Sequence, residues 1–278
     1  MSDTAVLDAR DVTVTAGAVP LVSKVNLNLR AGEFVGLLGA NGAGKSSFLK
    51  ACSGEVPLAS GAILMHGKNI ENTPAAELAH RRAVVAQSND LNFPFTAREV
   101  VLLGATVPGF HCRTDRLETI ISDALANVGI SHLAGRSYPL LSGGERQRVQ
   151  IARAFCQLAA ARAFQTNPPL LLLDEPTSSL DLAHQRLILS RLRRLSGDGG
   201  AALAVLHDVN LAAAYCDRLL IMKAGRVLAD GPPKDVIVSG VLSEAYGCPV
   251  EANRLPPASI PFVLPVTSPA TPATGTWM

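Results

Sequence analysis

The spacing of polar and apolar positions divides the chain into three stretches. The first has period two, the period of a half-buried strand. Val12-Thr13-Val14-Thr15 is β-branched throughout, and Lys24-Val25-Asn26-Leu27-Asn28-Leu29 alternates polar and apolar. Glu33-Phe34-Val35-Gly36-Leu37-Leu38-Gly39 is instead a largely apolar run closed by glycine, the pattern of a strand buried on both faces. A helix is predicted over Ser46–Ser53, with short strands over Ala62–Met65 and Ala83–Ala86. From about Asp90 to Pro169 strand patterns vanish, and helical spacing governs Ala97–Leu103, Arg116–Val128 and Glu145–Leu158. After Pro169 strands and helices alternate again. Leu170–Leu173 and Ala201–Leu206 read as buried strands, and Leu182–Leu195 as a helix with a basic outer face. Leu211–Tyr215 begins a further helix, and Leu219–Met222 and Arg226–Ala229 flank Ala224-Gly225 as a hairpin. The sum is a parallel α/β core interrupted by a helical insertion, without internal repeats. The tail from Thr267, which holds the single Trp277, is rich in Thr, Pro and Ala and is expected to be disordered.

Composition sharpens this picture by exclusion. The 278 residues fit one large α/β domain or two small ones, and a 48% hydrophobic, 17% charged chain can bury a sizeable core. Twenty-five basic and 23 acidic residues leave a net charge of +2, so there is no electrostatic footprint for nucleic acid. No apolar run approaches the roughly 18–20 residues of a membrane-spanning helix. Val100–Phe110 is about half that and carries Gly and Pro. Met1-Ser2-Asp3-Thr4 lacks the basic start of a signal peptide. Five scattered cysteines without a C-x-x-C pair suggest reduced thiols in a cytosolic protein.

Chemistry enters with Gly39-Ala40-Asn41-Gly42-Ala43-Gly44-Lys45-Ser46, which matches G-x-x-x-x-G-K-[ST] between a predicted strand and a predicted helix. Small residues let backbone N–H groups converge on phosphate oxygens, and the helix N-terminus adds its dipole. Lys45 is expected to reach the β- and γ-phosphates, Ser46 to ligate Mg²⁺, and Ser47 to bind the nucleotide with the loop. Asp174-Glu175 closes the apolar strand Leu170–Leu173. Asp174 is the expected second holder of Mg²⁺, and Glu175 the expected base for an attacking water. These features describe a Mg-nucleotide triphosphatase. No guanine-reading Asn-Lys-x-Asp segment is present, which favours ATP.

Between these two halves, Leu141-Ser142-Gly143-Gly144-Glu145-Arg146-Gln147-Arg148 resembles the signature motif of ATP-binding-cassette (ABC) ATPases. Ser142 is placed to cap a helix, and the two glycines expose N–H groups as a second anion site. Gln87 resembles the Q-loop glutamine, Ser178-Ser179-Leu180-Asp181 the D-loop, and His207 the switch histidine. The resemblance covers about residues 5 to 265. It implies a P-loop NTPase fold in one cassette over residues 1–265, with residues 266–278 as a tail. The cassette would comprise a RecA-like core over about 1–89 and 168–265, an N-terminal antiparallel β subdomain, and a helical subdomain over about 90–167. It also implies a head-to-tail homodimer. ATP and Mg²⁺ would lie between the Lys45 loop of one copy and Ser142–Glu145 of the other. Gln87 would sense the γ-phosphate and metal, and His207 would help Glu175 position the water. Two transmembrane permease subunits are implied partners, placing the dimer on the cytoplasmic face of an inner membrane. The family stacks an aromatic ring on adenine, but the stretch Val12–Leu21 holds Thr15, Ala16 and Gly17 and no aromatic.

Phe93-Pro94-Phe95-Thr96-Ala97-Arg98-Glu99-Val100-Val101-Leu102-Leu103-Gly104 resembles the importer ATPases for iron chelates, heme and vitamin B12. The signature continuation Arg146–Gln150, the run Asp181-Leu182-Ala183-His184-Gln185 and the long segment Phe155–Pro169 favour the heme branch. That branch implies a periplasmic heme-binding protein acting through the permease. A ferric-siderophore or vitamin B12 importer is the alternative. A soluble ABC ATPase of DNA repair or translation usually carries a coiled-coil insertion or a second cassette, and this chain has neither. Intact Lys45, Ser46, Asp174, Glu175 and His207 argue against a cassette without chemistry. Cargo is not legible from the chemistry, because such a subunit does not touch it. His184 is expected on a helix face or dimer interface, and His111-Cys112 in an exposed loop, not as iron ligands. Phe93 and Phe95 fit either local packing or a socket for a short helix of the membrane subunit.

Overall fold

A computed structural model describes residues 5–87, 93–106, 113–162, 167–257, 259–261 and 263. The His111-Cys112 pair, residues 163–166 of the long link, and the tail with Trp277 lie outside the described residues. The chain opens with β1 (Ala5–Ala16), β2 (Val19–Arg30), β3 (Phe34–Leu38) and α1 (Lys45–Ser53). There follow β4 (Ser60–Met65), β5 (Lys68–Asn69), α2 (Ala75–Arg81) and β6 (Arg82–Val85). Three helices come next: α3 (Ala97–Leu102), α4 (Thr114–Asn127) and α5 (Gly143–Ala161). The last third runs β7 (Leu170–Asp174), α6 (Leu182–Gly197), β8 (Ala201–Val205), α7 (Val209–Tyr215), β9 (Arg218–Lys223), β10 (Arg226–Gly231), α8 (Pro233–Val236) and α9 (Ser239–Tyr246).

These strands form two sheets. The smaller is antiparallel with order β2-β1-β4-β5. The larger has order β10-β9-β3-β8-β7-β6, parallel except for β10, which returns as a hairpin on β9. Every residue of β3, β7 and β8 is buried, as expected for strands covered on both faces. Side chains of period two divide between two packed cores. Phe34, Leu38, Leu171, Leu173, Ala202, Ala204, Leu219 and Ile221 face the helices α3–α6. Val35, Leu37, Leu170, Leu172, Ala201, Leu203, Leu220 and Met222 face α1 and the smaller sheet. The apolar runs of the sequence are therefore two interleaved strand faces.

Residues 93–162 contribute helices and one isolated bridge, Thr96 to Ser137, among the described residues. Thr96 opens α3 with a capping box: its side chain accepts from the Glu99 amide, and Glu99 accepts from the Thr96 amide. Cys52, Cys156 and Cys216 are buried and Cys248 is exposed. No helix among the described residues is long and apolar enough to cross a membrane.

Candidate active site

The carboxyl ends of the parallel strands align along one edge, the usual ligand-binding edge of open α/β sheets. Leu37 of β3 and Asp174 of β7 both stand opposite Val205 of β8, and Val85 of β6 stands opposite Leu173. The sequence-predicted residues follow from these ends. The loop Gly39–Gly44 leaves β3, Gln87 lies two residues past β6, Asp174 ends β7, and His207 lies two residues past β8. Gln87 is exposed.

The phosphate loop is built from backbone contacts that require glycine. Gly39 has φ +139°, and a side chain there would collide with the Met222 carbonyl of β9. Gly44 has φ +96°, and a Cβ would stand 2.5 Å from the Leu21 carbonyl oxygen of β2. The Gly225 amide donates to the Ala43 carbonyl at 3.0 Å, and the Ser23 amide donates to the Gly225 carbonyl at 2.8 Å. The β9–β10 hairpin turn and the start of β2 thus wall the loop. Asn41 and Gly42 are exposed at its tip, with Ala40 half-buried beside them. Sequence reading found the loop and the hairpin but not their contact, and it did not single out Leu21, Met222 or Gly225 as loop-framing residues. Leu21 stands in a strand more than twenty residues upstream of Gly44, and no local pattern marks such a contact.

Lys45 opens α1 and is buried. Its ammonium donates to the Gly39 carbonyl at 2.7 Å and the Ala40 carbonyl at 2.9 Å, along the loop interior. Burial pulls its pKa below the ordinary lysine value, against the opposing field of Glu175 and Asp174. The Ser46 hydroxyl donates to Asp174 Oδ1 at 2.9 Å, joining residues 128 positions apart. Asp174 is 2% exposed, and burial raises its carboxyl above the usual range while the Ser46 hydrogen bond opposes the rise. Two hard oxygen donors side by side suit a divalent cation of the Mg²⁺ kind. Ser47 is half-buried in the first turn of α1.

Glu175 has φ +51°, a left-handed conformation that costs a non-glycine residue on the order of 1–3 kcal/mol. The turn is fastened by the Ser178 amide and hydroxyl, which donate to the Glu175 carbonyl. It aims the carboxylate at His207, with Glu175 Oε1 2.7 Å from His207 Nε2. A carboxylate only accepts, so this pairing places the ring proton on Nε2. The side chains are 17% and 44% exposed, so the pair is open to solvent on the histidine side. A carboxylate held against an imidazole next to a lysine-lined phosphate loop can orient and deprotonate a water.

The second glycine motif lies at the start of α5. Ser142 Oγ accepts from the Glu145 amide at 3.3 Å, and Glu145 Oε2 accepts from the Ser142 amide at 2.7 Å. Donation from the Ser142 amide, foremost, and from its hydroxyl holds the Glu145 carboxyl below its ordinary pKa. A Cβ on Gly144 would stand 2.7 Å from the Ser179 carbonyl oxygen, so packing against residues 178–181 accounts for that glycine. Gly143 is exposed, and a Cβ there would meet only Ser179 Cβ at an ordinary 4.0 Å, so packing does not account for it. Among the described residues, the polar side-chain partners of this motif and of the Lys45 loop do not overlap.

Asp181 caps α6. Its Oδ1 accepts from the His184 amide at 2.9 Å and lies 2.8 Å from His184 Nδ1. His184 is thus engaged on its own helix. No group of three or more His, Cys, Asp or Glu among the described residues could hold a metal ion. Phe93 is 65% exposed, while Phe95 is half-buried against the helical core. Their ring centroids are 6.0 Å apart.

Residues 22–178 match the ABC transporter family model. The chain is similar to the hemin import ATP-binding protein HmuV of Streptomyces coelicolor, at 43% identity over 94% of this chain and 90% of that protein. It is 41% identical to the protein of the same name from Mesorhizobium japonicum, over 94% of this chain and 99% of the relative. Among solved structures it resembles a dimeric ATP-binding cassette in a post-hydrolysis state with ADP and phosphate. That likeness has a TM-score of 0.71 and 27% identity, covering 82% of this chain and 98% of the other.

Proposed function

The chain belongs to the ABC transporter family of ATP-binding proteins, and from that premise we propose that it is the ATP-hydrolysing subunit of a bacterial heme importer. The observation that carries the ATPase is the meeting of Lys45, Ser46, Asp174, Glu175 and His207 at one sheet edge. Kinship along nearly the whole chain to hemin import ATP-binding proteins supports heme over a siderophore or vitamin B12.

In this reading the loop amides and Lys45 hold the ATP phosphates. Ser46 and Asp174, with Gln87, would hold Mg²⁺, which when bound offsets charge on the β- and γ-phosphates. Glu175 takes a proton from the attacking water, and His207, fixed by its Nε2 contact, orients that water against the γ-phosphate. Gly143 and Glu145 serve the nucleotide of a second copy. The open face of Gly143 and the separate partners of the two motifs support a site completed head to tail. ATP drives closure because it touches both copies only in the closed dimer. Two permease subunits and a periplasmic heme-binding protein complete the proposed assembly, at the cytoplasmic face of the inner membrane. Phe93, exposed beside half-buried Phe95, is the proposed seat for a short permease helix.

Reconstitution with the permease in vesicles tests the cargo. Heme presented with its binding protein is expected to stimulate ATP hydrolysis. Stimulation by ferric siderophores or vitamin B12 and not by heme would move the chain to the alternative importer.

A further inference from the structure

Gln150 of α5 and Tyr138, four residues ahead of Ser142, have no place in the chemistry described above. They are 3% and 2% exposed, and Gln150 Nε2 donates to the Tyr138 hydroxyl at 2.8 Å inside the helical core. The other half of the amide is unmatched. Gln150 Oε1 is sealed from solvent with no hydrogen-bond partner among the described residues. A buried carbonyl without a donor lowers stability, and methionine would fill the same space without that cost. Stability therefore does not explain a glutamine here. A hydrogen bond also fixes direction and distance, which apolar packing does not.

The bond joins two parts of the molecule with different duties. On one side, Tyr138 is tied to the Phe93 corner. The Phe95 carbonyl accepts from the Tyr138 amide at 2.7 Å, and the Phe95 amide donates to the Phe93 carbonyl at 2.8 Å. The first amides of α3, those of Ala97 and Arg98, donate to the carbonyls of Arg136 and Ala134, each at 2.9 Å. Thr96 pairs with Ser137 between them. Residues 134–138 are thus stitched to 93–98 by backbone bonds. On the other side, Gln150 lies about two turns along the helix that Ser142 caps and Gly143 opens. Between Tyr138 and Ser142 the chain makes one short 3₁₀ turn, Tyr138–Leu140, in which Leu140 is 74% exposed. The Tyr138–Gln150 bond bypasses that turn.

We propose that Tyr138 and Gln150 are positioning residues that transmit permease docking at Phe93 to the helix that meets the partner copy's nucleotide. A membrane helix seated on Phe93 displaces the 93–98 corner, and residues 134–138 follow through their backbone bonds. The amide–phenol bond passes that displacement to α5 as a movement of the whole helix, so Gly143 and Glu145 swing toward the second copy. An apolar pair would let the two parts slide and absorb the movement.

The proposal rests on the docking reading of Phe93, and the test separates the two. Three quantities are measured on the full-length chain, Phe93→Ala, Gln150→Met, Tyr138→Phe and the double variant of the last two. They are basal turnover, turnover in vesicles carrying the permease with heme and its binding protein, and melting temperature. Stimulation of the parent chain that Phe93→Ala abolishes upholds the docking reading, whatever Gln150 does. A parent chain that the permease does not stimulate, or unaltered stimulation in Phe93→Ala, removes that reading and the proposal with it. Gln150→Met is expected to keep or raise the melting temperature, keep basal turnover within about twofold, and cut stimulation about fivefold. Tyr138→Phe strands both atoms of the Gln150 amide, so it should melt lower than Gln150→Met yet lose stimulation to the same extent. The double variant should lose no more than either alone, because all three break one bond. Unchanged stimulation in Gln150→Met, losses that follow the melting temperature across the three variants, or losses that add in the double variant would each overturn it.

Discussion

Gly143 and Gly144 are adjacent in the chain and answer to different constraints. Gly144 is glycine because the Ser179 carbonyl stands where its side chain would go. Gly144→Ala should therefore destabilise the fold by about 1–3 kcal/mol, read as a lower melting temperature. Gly143 opens a helix and is exposed, with room for a Cβ beside Ser179. Gly143→Ala should keep or raise stability, by up to about 1 kcal/mol, since alanine is the better helix former. In the proposed dimer it should nonetheless lose ATP-driven dimerisation and turnover, because the new methyl group would stand in the path of the partner copy's nucleotide. Asp174 makes a similar contrast. Its charge is buried, so the neutral Asp174→Asn should raise the melting temperature by about 2–4 °C while abolishing Mg²⁺-dependent hydrolysis. Lys45, Ser46, Glu175 and His207 were legible in the sequence because each sits in a short motif at a strand end. Leu21, Met222 and Gly225 were not, because their contacts with the phosphate loop join strands far apart in sequence.

At the scale of elements, periodicity located every long helix and every strand of the large sheet, with ends displaced by a few residues. The N-terminal strands are longer than their patterns suggest. Asp11 and Lys24 adopt left-handed backbone, and the β1–β2 register shifts between Ala9 and Val12, so alternation breaks inside the pair. The Asn26 side chain fills the irregularity by accepting from the Asp11 amide at 2.8 Å. Helix α8 and strand β5 went unread because four and two residues are too few for a period to register, and α2 and α9 because each buries only two side chains, too few to mark an apolar face. The element most open to test is the Phe93–Phe95 corner ahead of α3. The Phe95 carbonyl accepts from the Tyr138 amide, and its ring reaches the core, so Phe95→Ala should lower stability. Phe93→Ala removes an exposed ring and should leave folding and ATP binding intact. It should abolish stimulation of hydrolysis by the reconstituted permease. Unchanged coupling in that variant would leave Phe93 a local packing partner of Phe95.

The whole molecule is half of a machine. One sheet edge carries the phosphate loop, the Ser46–Asp174 pair and the Glu175–His207 pair. The start of α5 carries a second glycine motif with separate polar partners and an open face on Gly143. In the proposed head-to-tail dimer a second copy brings the two together, and ATP favours that arrangement as far as it binds the closed dimer more tightly than separate chains. Replacing Glu175 by Gln keeps the shape of the site and removes the base. The decisive measurement is the mass of the Glu175→Gln chain by light scattering, with ATP and with ADP, alongside its turnover. Hydrolysis at least ~10²-fold slower than the parent, with a doubled mass in ATP and a single-chain mass in ADP, is the expected result. Near-parental turnover, or a single-chain mass in saturating ATP, would contradict it.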